Sequence, residues 1–289
     1  MKSSVGASVQ RAAVFTTFAL LAFAGNSVIC RMALRDGEID PASFTILRLG
    51  SGALVLLVIR RLANRTSTTG RHGSWLSALC LFVYALSFSY AYVSLSTGVG
   101  ALILFGFVQA TMITSGLLSG DRPVISEWVG WLIAIAGIAM LLLPGADKPD
   151  LSGALMMAVS GIAWGLYSVR GRTESNALGA TTTNFTFAFV FVLVLLLLET
   201  GSTEFSRQGA VLAITSGAIT SGLGYVLWYR ALEYLTAIRA ALVQLSVPVI
   251  ATLGGIFLLA EPLSLQMLVS SAMVLGGIGL ALVKSRKPE

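Results

Sequence analysis

The chain has 289 residues, of which 56% are hydrophobic and 11% charged, with a formal net charge of +6. Soluble domains carry about 25% charged residues, so this chain lacks the charged surface needed to cover a soluble core. Its basic residues form no stripe with interleaved aromatics, which sets nucleic acid aside as a partner and leaves loops facing the cytoplasm as the source of the positive sign.

A hydrocarbon core of about 30 Å needs about 20 apolar residues of helix. That ruler predicts an all-α integral membrane protein with ten transmembrane helices, at 13–34, 41–61, 74–95, 98–118, 125–144, 151–170, 179–199, 208–230, 237–259 and 263–283. In the first span, Ala22-Phe23-Ala24 imitates a signal-peptidase site, but the apolar run continues to about Leu34, so a helix that stays is expected. Turn chemistry fills the breaks, from Arg35-Asp36-Gly37 to Glu261-Pro262; only Ser96-Thr97-Gly98 carries no charge, and a tight hairpin is expected there. Cys30 and Cys80 lie within apolar runs, against a disulfide framework or a metal site. The single histidine, His72, reads as a solvated loop residue.

Lysine and arginine set the orientation. With the N-terminus inside, 14 of them fall at cytoplasmic ends and 4 at outer ends, with Arg48 left inside a helix. The positive-inside rule then places both termini in the cytoplasm, with the bacterial inner membrane as the expected location. Pairing residue i with i+140 lays helices 1–5 on helices 6–10 without a gap in hydropathy. Identity at that offset proves nothing, but the shared register predicts two repeats, 1–145 and 146–289. Five helices per repeat is an odd number, so the second enters from the opposite side. Such inverted repeats are common among secondary transporters, with the solute site where they meet.

Several short strings resemble a known family. Ala163-Trp164-Gly165 and Ala24-Gly25-Asn26 are similar to the Trp-Gly motif in the first helix of each EamA repeat. Arg48-Leu49 resembles that repeat's helix-two arginine. Ala231-Leu232-Glu233-Tyr234, Pro248 and Ala260-Glu261-Pro262-Leu263 resemble its closing run. The first half departs from the pattern, with Ala24 where tryptophan is expected and Ser119-Gly120-Asp121 in place of a Gly-Glu step. The resemblance implies the drug/metabolite transporter superfamily, and within it the aromatic amino acid exporter branch (YddG-like).

Enzyme motifs are missing: there is no H-E-x-x-H, G-x-S-x-G, aspartate-rich or Walker A string, so no enzyme and no cofactor are expected. Polar and aromatic residues instead recur at helical spacing. Phe23 and Asn26 on helix 1, Tyr84 and Phe88 on helix 3, and Phe105 and Gln109 on helix 4 are candidate solute-binding residues. So are Trp164 on helix 6, Tyr225 on helix 8 and Gln244 on helix 9. Trp164 is too deep for the interfacial belt that suits Trp75, Trp128 and Trp131, so lining a pathway is the preferred reading over packing. For Asn26, Gln109 and Gln244, solute contact and hydrogen bonding between helices remain equally open. Pro248 reads as a mid-helix break, either a gate or a bend for packing. Arg48 is the one charge well inside a helix, and two readings exist: a grip on a substrate carboxylate, or a structural pair with Glu261, which is preferred.

No helix centre carries Asp or Glu, which favours export down the solute gradient over proton antiport. The expected partners are therefore a small solute and the lipid bilayer, with no obligate protein partner evident. A mostly apolar and aromatic cavity of amides and hydroxyls, without fixed charge, fits aromatic and other neutral amino acids first. Threonine or homoserine, a purine or a lipophilic compound are the alternatives on the same fold, and a lipid-handling membrane enzyme the alternative of another class.

Overall fold

The computed structural model describes residues 2–63, 72–118, 125–142, 149–198, 206–235 and 243–283. Among these there is no strand. The helices are α1 (Lys2–Arg35), α2 (Pro41–Ala63), α3 (Trp75–Ser94), α4 (Thr97–Leu118), α5 (Ile125–Leu142), α6 (Leu151–Gly171) and α7 (Ala177–Leu198). They are followed by α8 (Arg207–Leu232), α9 (Ser246–Leu259) and α10 (Leu265–Val283). Seven of the described helices are long and apolar enough to cross a membrane, and α5, α9 and α10 contribute shorter apolar segments.

Local chemistry explains many starts. Asp40 accepts from the Ser43 amide at 2.8 Å just ahead of Pro41, whose fixed φ suits a first helical position. Ser74, Asp150 and Ser206 likewise cap α3, α6 and α8 by accepting an amide three residues on. Each cap satisfies an N–H that a helix start would otherwise leave open. The tight α3–α4 connection is present: α3 ends at Ser94 and α4 begins at Thr97.

Side chains such as Leu54, Leu57, Val58, Leu193, Val194 and Phe257 are exposed along the helices, as lipid-facing residues are, while small and aromatic residues fill the interior. The dominant packed pairs are α1 with α8 and α9, α2 with α7 and α8, α3 with α6 and α7, α4 with α6 and α9, and α5 with α10. Replacing each helix by the one five places away returns the same pairs. Thus α1·α8 becomes α6·α3, α2·α8 becomes α7·α3, and α1·α9 becomes α6·α4.

Contacts between turns define the two ends of the bundle. At one end, Arg31 donates to the carbonyls of Tyr92 and Val93, Ser206 donates its amide to Glu38, and Ser94 reaches Asp150. At the other, Arg170 donates to Ser74 and Ser77, and the Ser74 amide donates to Asn184 at 3.0 Å. Gly73 has φ +79°, and a Cβ there would lie 2.6 Å from Asn184 Oδ1, so glycine is required for this close approach.

One sequence expectation needs correction here. His72 is not simply solvated: its Nδ1 lies 3.8 Å from Glu174 Oε2 with the side chain largely buried, and Glu174 also accepts the Gly73 amide. A break in the helix is present near Pro248: residues 243–244 are helical, Leu245 is a turn and helix resumes at Ser246, so the proline's missing N–H falls where it would otherwise pair with the Gln244 carbonyl. The predicted onset at residue 237 lies outside the described residues.

Candidate solute-binding site

Where α1, α2, α3, α6, α7 and α8 converge, aromatic rings surround one arginine. Trp164, in α6, lies 4.9 Å from the Tyr84 ring, 4.7 Å from Tyr225 and 5.5 Å from Phe23. Phe23 also meets Tyr225 and Trp228 edge-on, and Phe185 of α7 closes on Tyr225. Gly165 lets α6 come this close to α4, since a Cβ would lie 2.7 Å from Thr111 Cβ. Offset and edge-to-face arrangements of this kind suit the ring quadrupoles.

Arg48 enters the cluster from α2 and is 1% exposed. Its Nε donates to Ser221 Oγ at 2.9 Å, and its Nη2 donates to the hydroxyls of Tyr84 at 3.1 Å and Tyr225 at 2.9 Å. The guanidinium carbon lies 5.1 Å from the ring centroids of both Tyr84 and Phe88. Every one of these partners is neutral. Asn26, beside it in α1, accepts from Ser216 at 2.7 Å, lies 3.1 Å from the Thr220 hydroxyl and donates to Tyr84 at 3.4 Å.

The hydroxyls come from an unusual stretch. Ser216–Leu223, inside α8, is π-helical. Its i→i+5 bonding widens the turn and brings Ser221 toward the face that carries Ser216 and Thr220; such bulges frequently occur at functional sites. Gly217 permits the crossing with α2, because a Cβ there would stand 2.0 Å from the Arg48 carbonyl oxygen.

The expected Arg48–Glu261 pair is absent. Glu261 instead sits at the α3–α4 end, where both carboxylate oxygens accept the Thr97 amide, at 3.0 and 2.9 Å. It also lies 3.4 Å from Arg31 Nε, an ion-pair distance at which the N–H is not aimed as a hydrogen bond. The first residue of α4 offers an unsatisfied N–H and the positive end of a helix dipole, and Arg31 is nearer this surface than Arg48. Glu261 is thus held without Arg48, whose side chain turns inward toward α3 and α8.

The structure therefore brings Phe23, Asn26, Arg48, Tyr84, Phe88, Trp164 and Tyr225 together. Gln109 and Gln244 are buried as well, in α4 and just before α9. Phe105 is buried but lies outside the described ring contacts of the cluster. The expectation of a centre without fixed charge is corrected by Arg48 itself. Spacing on an ideal α-helix missed Ser216 and Thr220, and the featureless apolar pattern of α7 gave no sign of Phe185.

The sequence profile of the EamA-like transporter family matches residues 10–143 and again 151–283. An uncharacterised protein of Pseudomonas aeruginosa is 50% identical over 273 residues, covering 94% of this chain and 95% of its own. An uncharacterised transporter of Archaeoglobus fulgidus is 26% identical over 70% of this chain and 74% of its own. A threonine/homoserine exporter, RhtA, of Salmonella typhimurium is 25% identical over 60% of each chain. A protein of known crystal structure superposes with a TM-score of 0.66 at 19% identity, over 96% of this chain and 99% of that one, which is a likeness of fold. With the family's profile matching nearly its whole length, the chain belongs to the EamA-like transporter family.

Proposed function

We propose that this transporter is a ten-helix carrier built of two inverted repeats, exporting small organic solutes by alternating access, with aromatic and other neutral amino acids first among them. The observation that carries this reading is the ring-lined cluster of Phe23, Tyr84, Trp164, Tyr225 and Trp228 at the crossing of helices from both halves. Ring faces of this kind suit flat side chains, and hydroxyls and an amide beside them suit polar ends. The packing pairs that survive exchange of helices five apart support the repeat, as do the two profile matches at 10–143 and 151–283.

Export needs no ATP on this reading and no bound proton, since no span carries Asp, Glu or His near its centre. The positive-inside bias supports an inner-membrane protein with both termini in the cytoplasm. A second solute class, threonine or homoserine, is favoured by the likeness to the Salmonella exporter and by the hydroxyl-rich face of Ser216, Thr220 and Ser221.

Proteoliposomes containing only this protein, given labelled amino acids and nucleosides, test the reading. Downhill, saturable flux of unmodified solute is expected, unchanged by ATP and not driven uphill by an imposed pH difference. Chemical conversion of a solute would make the protein an enzyme, and accumulation driven by pH would defeat the uncoupled mechanism. Cysteines at Arg172 and at Asp36, exposed at opposite ends, check orientation in intact cells. An impermeant reagent should label only the one at Asp36.

A further inference from the structure

We propose that Arg48 is an anion subsite that binds the carboxylate of the transported solute; the inference deepens the transport reading above and rests on it. Donor and acceptor accounting carries it. Nη1 of Arg48 is buried and has no hydrogen-bond partner, while Nε and Nη2 are taken by Ser221, Tyr84 and Tyr225. The two phenols lie 3.2 Å apart, so one can donate to the other, and the remaining phenolic O–H finds no acceptor in the described contacts. Trp228 Nε1 is a third buried donor left open. The centre is thus rich in donors and short of acceptors.

Charge gives the same answer. Among the described residues no carboxylate contacts Arg48, and Glu261, the acid expected to do so, is held by Arg31 and the start of α4. Holding a charge away from water costs several kcal/mol, and neutral phenols offset only part of it. A glutamine would make similar neutral hydrogen bonds without that cost. A carboxylate supplies what is missing: full charge, and lone pairs for Nη1 and the open phenol. Arginine's planar fork matches a carboxylate in two-point contact. The rings of Trp164 and Phe23 beside it would then take the apolar remainder of the same solute.

The test is equilibrium binding to the purified full chain, read by intrinsic tryptophan fluorescence because Trp164 and Trp228 lie in the cluster. Two isosteric pairs serve as probes: 3-phenylpropionate with 3-phenylpropionamide, and 4-methylpentanoate with 4-methylpentanamide. At least one carboxylate should bind about ten- to a hundred-fold tighter than its amide, the range of a hydrogen bond to a charged group. Arg48→Gln should erase that preference by weakening the acid and not the amide, and Arg48→Lys should restore part of it. Absence of any preference for acid over amide in the wild type overturns the proposal even if the variants fail to fold. So does a preference that survives Arg48→Gln. Acid preference without flux of any solute would defeat the transport reading and leave the subsite standing, whereas flux without acid preference would do the reverse.

Discussion

Among the described residues, Arg31 and Arg48 are buried or nearly so, and their surroundings differ in kind. Arg31, at the α3–α4 end, sits 3.4 Å from the Glu261 carboxylate and donates to two carbonyls. Arg48, at the centre, meets two phenols, a serine and two ring faces, all uncharged. The first is a closed electrostatic unit that ties α1, α3, α4 and the start of α10 together. The second is an open one. A charge matched within the fold serves stability, whereas a charge left unmatched in an apolar interior costs stability and makes sense only with a visiting partner.

The largest expected effect falls on the closed unit. Glu261→Ala would leave Arg31 without its counter-charge and the Thr97 amide without its acceptor, at a cost of roughly 2–4 kcal/mol. Thermal unfolding in detergent should show a clear drop in midpoint. Arg48→Gln, in contrast, should leave the midpoint unchanged or higher, because it removes a buried charge that nothing in the fold neutralises. A large drop for Arg48→Gln would erase the distinction between the two regions.

Asn26 tests whether the neutral part of the centre is ordinary structure. Asn26→Ala would strip the hydroxyl of Ser216 of its acceptor and disturb that of Thr220, costing about 1–3 kcal/mol. The same unfolding measurement reads it, and an unchanged midpoint would mean that these hydroxyls have other partners. Smaller still is the effect at Trp164. Trp164→Leu should weaken an aromatic solute about two- to twelve-fold through lost ring contact, and an aliphatic solute less. Equal losses for both would make Trp164 a packing residue.

The smallest effect lies at the surface. Asp150 accepts from Ser152 and from the Gly153 amide at the start of α6, and these bonds hold its carboxyl below the usual range. A depressed folded pKa adds stability that is present above the unfolded value and is lost as pH falls through the folded one. Acid unfolding of wild type and Asp150→Asn should therefore differ only above that window, by a small amount. A difference that grows on acidification would reverse the sign.

Much of this arrangement was legible in the sequence. Counting apolar runs against the bilayer thickness placed most helix starts within a few residues of those observed, α1 excepted. Trp164, Tyr84 and Tyr225 were found because α-helical spacing held along α3 and α6 and at the end of α8. The π-helical turn at 216–223 breaks that spacing, which hid Ser216 and Thr220. The partner of Arg48 was misassigned for a different reason. Depth along a helix can be counted from sequence, but the direction of a side chain depends on which helices pack beside it. Glu261 was judged by depth alone, while Arg31 and the free amide of Thr97 stood closer to it.

The central claim is that the partner of Arg48 arrives with the solute, and solute flux measures it most directly. Labelled amino acids and simple carboxylates would be offered to proteoliposomes holding equal amounts of folded wild type or Arg48→Gln. The account predicts downhill flux of at least one carboxylate by the wild type, reduced ten-fold or more in the variant. Flux of that carboxylate at the wild-type rate by Arg48→Gln, or no carboxylate flux by the wild type, would contradict it.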